Sequence, residues 1–153
     1  MKQIYSIDLL FDEDRFPRLE KQVLGPAPKV SNAKEAVRVA EEHFALSRQP
    51  EEHVYCLFLD AEGAVRAVSV TASGSNSECV FNLRGLYTRA LLVGCWQMIC
   101  LHNHPSGSLK PSEQDLSSYR KLIESSKVHE LKILDNIIVG DGEYYSFCEQ
   151  GIA

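Results

Sequence analysis

Hydrophobic positions fall into short blocks whose spacing switches between period two and the helical period. Tyr5, Ile7, Leu9 and Phe11 alternate with Ser6, Asp8 and Leu10, the pattern of a strand with one covered face. Over residues 12–30 no period persists, the charges are mixed, and Gly25-Pro26-Ala27-Pro28 interrupts the chain, so this stretch reads as loop or linker. Asn32 then stands at a helix start with Glu35 at capping-box spacing. Ala33, Ala36, Val37, Ala40 and Phe44 share one face of the helix that follows, and Pro50 lies past its end. Residues 53–59 and 65–71 read as two strands of a hairpin around Asp60-Ala61-Glu62-Gly63.

Gly74-Ser75-Asn76-Ser77 reads as loop. After it, Leu83, Leu86, Tyr87, Ala90 and Leu91 follow helical spacing behind an Asn82 cap, and Gly94 suits the stop. Residues 96–101, apolar apart from Gln97, read as a buried central strand, and 105–111 are loop. Residues 112–127 predict a third helix with Leu116, Tyr119 and Ile123 on one face. The chain ends in two strands, 131–139 and 144–147, joined through Asp141-Gly142. This order predicts an α/β (α+β) fold with a mixed central sheet flanked by helices. The Gly-Pro stretch suggests a boundary between an amino-terminal strand and linker extension, residues 1–30, and a main body, residues 31–153.

Composition narrows the function classes. The 153 residues carry 16 basic and 21 acidic side chains, a net charge of −5, which argues against sequence-independent nucleic-acid binding. The longest apolar run, residues 90–100, contains Gln97 and is well short of the ~20 residues of a membrane span. The amino terminus is too acidic for a signal peptide, so a cytoplasmic protein without membrane association is expected. Five cysteines (Cys56, Cys79, Cys95, Cys100 and Cys148) form no C-x-x-C pair and read as reduced thiols, three of them in apolar runs.

The chemistry concentrates in Leu101-His102-Asn103-His104-Pro105-Ser106-Gly107 and the Pro111-Ser112-Glu113-Gln114-Asp115 that follows. His102 and His104 are two apart in an extended segment, so both imidazoles face one side and Asn103 faces the other. The loop returns the chain to a helix start carrying Ser112 and Asp115. Two imidazoles and a carboxylate make the ligand set of a catalytic zinc, with the fourth position open to water. Ser112-x-x-Asp115 is also a capping box, and the two roles are compatible. A capping Ser112 still has its O–H to donate, and one Asp115 oxygen can cap while the other meets a metal. His43, His53 and His129 lie outside the pattern and read as structural or exposed.

The joint spacing of H-x-H-P, a short glycine-containing loop and P-S-x-x-D resembles the JAMM motif of the JAB/MPN metallopeptidases, and most closely their RadC-like branch. Leu57-Phe58-Leu59-Asp60, the run from Leu134 to Gly140, and Tyr144-Tyr145-Ser146-Phe147 carry the same likeness, which covers roughly residues 31–151. The resemblance implies the cytidine-deaminase-like architecture of that family and a zinc-dependent hydrolase of peptide or isopeptide bonds, with one Zn2+ per chain. It implies His102, His104 and Asp115 as metal ligands, and Ser112 as a donor to the oxyanion. It also implies a glutamate general acid/base just before the first sheet strand of the body. Glu52 directly precedes His53-Val54-Tyr55 and is preferred, with Glu51 held in reserve. Asn136 stands where RadC-like sequences usually carry histidine, and the length leaves no room for their helix-hairpin-helix region. Two competing readings are a DNA-repair-associated module and a metal-binding interaction domain without turnover. The expected partner is a peptide or protein substrate.

Overall fold

The computed structural model describes residues 1–74 and 82–152. Most of the loop expected over 74–77, and Cys79, lie outside these residues. Among the described residues, seven strands form one mixed sheet in the order β2-β1-β4-β3-β5-β6-β7. The strands are β1 (Gln3–Phe11), β2 (Pro17–Pro26), β3 (Glu52–Leu59), β4 (Val65–Gly74), β5 (Gln97–Asn103), β6 (Lys132–Gly140) and β7 (Glu143–Ser146). The pairs β1–β4 and β5–β6 are parallel, and the other neighbours are antiparallel. Helix α1 (Ala33–Phe44) covers one face, and α2 (Leu83–Val93) and α3 (Glu113–Val128) cover the other.

The central strands alternate between the two cores. Tyr55, Leu57 and Leu59 of β3 pack with Ile99 and Leu101 of β5 on the α1 side. Val54, Cys56 and Phe58 pack with Met98 and Cys100 on the side of α2 and α3. A strand covered on both faces has no polar side, which is why Val54–Leu59 of β3 and Met98–Leu101 of β5 read as unbroken apolar runs. In β6 a bulge opposite Met98 and Ile99 shifts the alternation, so that Ile137 and Val139 meet the α1 core and Ile138 meets the α3 core.

Helix ends follow the local sequence. The Asn32 side chain accepts from the Glu35 amide at 2.9 Å. The Glu35 carboxylate reaches back one residue further than the expected capping box, accepting from the Ser31 amide and hydroxyl rather than from Asn32. Gly94 ends α2 in the left-handed region.

One sequence expectation is corrected. Residues 12–30 are not simply loop or linker: residues 17–26 are β2, paired antiparallel with β1 along its whole length. The connection is a turn in which Asp12 Oδ1 accepts from the Asp14 and Phe16 amides. β2 is an edge strand, with Arg18, Glu20 and Lys21 along it and prolines at both ends. Such a strand has no buried face, and its charges blunt the open edge, so the period-two signal is missing. No helix among the described residues is long and apolar enough to cross a membrane.

Candidate metal centre

The site forms where the carboxyl end of β5 meets the start of β3 and the start of α3. β5 is antiparallel to β3, and the last pair of that ladder is Val54 with His102. The end of β5 therefore lies beside the beginning of β3, where Glu52 stands. Past the strand, the His104 amide donates to the Val139 carbonyl of β6 at 3.0 Å, which keeps the chain extended through both histidines. Their rings lie on one side with centroids 5.1 Å apart.

The loop then turns back to α3, whose cap is a full capping box. Ser112 Oγ accepts from the Asp115 amide at 3.0 Å, and Asp115 Oδ2 accepts from the Ser112 amide at 2.8 Å. This fixes the Asp115 carboxylate between the imidazoles. Oδ1 is 3.2 Å from His102 Nε2, and Oδ2 is 3.2 Å from His104 Nε2. One oxygen caps the helix and the other does not. Donor atoms of Glu52, His102, His104 and Asp115 all lie within 4.8 Å of one another, so the group could hold a metal ion. The structure brings Glu52 to this cluster, while Glu51 is exposed.

Each residue's surroundings fit that role. His104 Nδ1 lies 2.8 Å from the Ser108 carbonyl. A carbonyl only accepts, so Nδ1 carries a hydrogen, and in the neutral ring Nε2 is then the nitrogen with a lone pair for a cation. His102 is 3% exposed, and both its ring nitrogens are buried without a hydrogen-bond partner. A buried imidazole nitrogen left unpaired is costly, and a cation at the centre of these donors would satisfy Nε2. Burial alone would raise the Asp115 carboxyl, but the two imidazoles beside it win and hold it far below its ordinary range. Glu52 behaves oppositely: burial raises it, His102 and His104 counter that, and Asp115 adds to it. The His104 imidazole is raised, first by its bond to Asp115.

A support that the sequence reading missed is a contact between two glycines. A Cβ on Gly140 would stand 2.9 Å from the Gly107 carbonyl oxygen and 3.2 Å from its Cα. These are backbone atoms and cannot swing aside. Gly107 itself has φ +84° and donates its amide to the His104 carbonyl. The end of β6 thus seats the loop that carries His104. In sequence, Gly140 was legible as the end of the run from Leu134 that carries the family likeness, ahead of the Asp141-Gly142 turn. Gly140→Ala is expected to push this loop outward and weaken the binding of a metal ion at the cluster about 10–100-fold, as losing support around a ligand does; competition against a chromophoric chelator measures this.

Asn136 is fully buried on β6 opposite Cys100, outside the cluster. Cys56, Cys95 and Cys100 are buried free thiols, and Cys148 is an exposed one.

A family model described as the RadC-like JAB domain matches residues 30–152. A UPF0758 protein of Clostridium acetobutylicum is 32% identical over 147 residues, covering 96% of this chain and 63% of that protein. One from Methanosarcina mazei is 33% identical over 134 residues, covering 88% of this chain and 58% of its own length. One from Azotobacter vinelandii is 41% identical over 106 residues, covering 69% of this chain and 47% of its own. In these three matches the chain spans between 47% and 63% of its relatives' length.

Proposed function

The chain belongs to the RadC-like JAB domain family, and from that premise we propose that it is a zinc-dependent hydrolase of peptide or isopeptide bonds. The observation that carries this reading is the convergence of Glu52, His102, His104 and Asp115 within 4.8 Å. His102 and His104 through Nε2, with Asp115 through Oδ1, would hold the ion, one per chain. Two imidazoles and a carboxylate are the set that suits zinc with an open position. The bound ion would make a water molecule more acidic and polarise the scissile carbonyl at neutral pH.

This chain's own residues supply the rest. Glu52 accepts a proton from the attacking water and passes it to the leaving amine. Burial suits it to that exchange, because a carboxylate raised from its ordinary range is a stronger base and takes up the water proton more readily. Ser112 uses an Oγ lone pair on the helix cap, so its O–H is free to donate to the developing oxyanion. A peptide or protein is the partner this chemistry requires, and the acidic balance of the chain disfavours a nucleic acid.

The test is metal analysis of protein purified without chelator, together with hydrolysis of a peptide library and of isopeptide-linked peptides. Zinc at one ion per chain is expected. Cleavage should stop with 1,10-phenanthroline and return with added zinc. A folded protein that carries no metal and takes up none overturns the reading.

A further inference from the structure

We propose that Asn103 is the positioning residue for Glu52, an inference that rests on the reading of Glu52 as the acid/base. Asn103 sits between the two histidines in sequence, yet its side chain works on the opposite side of β5. It is 1% exposed. The β3–β5 ladder ends at the Val54–His102 pair, and beyond it the backbone of β3 has no partner from the backbone of β5. There the Asn103 carboxamide takes over. Its Oδ1 accepts from the His53 amide at 2.7 Å, and its Nδ2 donates to the carbonyls of Glu51 at 2.9 Å and Gln49 at 3.1 Å.

The orientation of the amide is determined by its partners. Two carbonyls can only accept and an amide N–H can only donate, so the NH2 and the oxygen cannot be exchanged. One side chain therefore grips the residues immediately before and after Glu52, and its own backbone lies between the two proposed ligands. On the other edge, β4 pairs with Glu52 and His53 through Gly74 and Ser73. The His53 ring stands edge-on to Phe44, with centroids 5.4 Å apart, on the α1 side. Strand alternation then sends Glu52 to the side of the imidazoles. A strand's first residue would otherwise be among the easiest to fray. Asparagine is the side chain of this length that offers one acceptor and two donors. Aspartate would set a charge against two carbonyl oxygens, and alanine would leave three backbone groups unpaired.

The test uses the full chain as Asn103→Ala and as the isosteric Asn103→Asp. In metal-free protein, exchange of the His53 amide is expected to quicken at least about tenfold in Asn103→Ala, which removes its acceptor, while the Ile99 and Leu101 amides of β5 keep their protection. With zinc supplied, both variants should bind the ion within about threefold of wild type, because no ligand changes. On any peptide that wild type cleaves, kcat should fall about 100-fold with KM nearly unchanged, the cost of a group misplaced by an ångström. Glu52→Gln combined with Asn103→Ala should be no slower than Glu52→Gln alone. Unaltered His53 exchange in Asn103→Ala, loss of zinc in Asn103→Asp, or additive effects in the double variant would overturn the proposal. A wild type that cleaves nothing counts against the hydrolase reading, and the exchange measurement still decides whether Asn103 holds this segment.

Discussion

Glu52→Gln is expected to keep zinc at one ion per chain and to slow amide hydrolysis about 10²–10⁴-fold, the range a positioned acid/base contributes. The substitution keeps the size and shape of a side chain that is 8% exposed, so packing around it is preserved. A carboxamide cannot take up a proton from water or return one to an amine. The comparison also separates two roles that geometry alone leaves close together. Glu52 lies within 4.8 Å of the same donors as the two histidines and Asp115, so a fourth ligand would stand in the same place. If Glu52 were a ligand, the variant would lose metal along with rate. If it is the acid/base, metal content and rate part company. Full activity in the variant would remove Glu52 from the mechanism.

Replacing both His102 and His104 by alanine has the larger effect on metal. The variant should purify without zinc and cleave at the rate of the uncatalysed reaction. Asp115 remains tied to the helix cap through Oδ2, so α3 keeps its start. Folding should survive, because neither imidazole supplies a strand pair. Stability separates the two proteins in a second way. An ion that binds only the folded chain adds about 4 kcal/mol at a thousand times its dissociation constant. In a domain of this size, each kcal/mol raises Tm by about 2–4 °C. Added zinc should therefore raise the Tm of wild type by roughly 8–16 °C and leave the variant where it was. A variant that still gains stability from zinc would place the binding site elsewhere.

Local features were the most legible. The starts of α1, α2 and α3 each follow a side chain (Asn32, Asn82 and Ser112) that accepts from the helix's third amide, and each was marked in sequence by that residue, joined at α1 by Glu35 and at α3 by Asp115. β3 and β5 were visible because both are covered on two faces and carry no polar alternation. β2 was not, since an edge strand loses the apolar signal that a buried partner enforces. At the site, the H-x-H spacing already implied a shared face. The adjacent acids Glu51 and Glu52 could not be separated so firmly. Which of the two turns inward depends on alternation along β3, set by the pairing with β4 and by the clamp from Asn103. The seat that Gly140 provides for Gly107 joins positions far apart in the chain, and no local pattern records it.

The sequence by itself therefore determined the helices and the strands other than β2, the order in which they come, and the residue types of the site, because caps, periods and spacing act over a few residues. The tertiary structure alone decided that the end of β5, the start of β3 and the first turn of α3 meet at one point. It also decided that Asp115 lies between two imidazoles and that an edge hairpin extends the sheet. Those are consequences of strand register and of packing on both faces of the sheet, in which residues fifty or more positions apart must satisfy one another's hydrogen bonds.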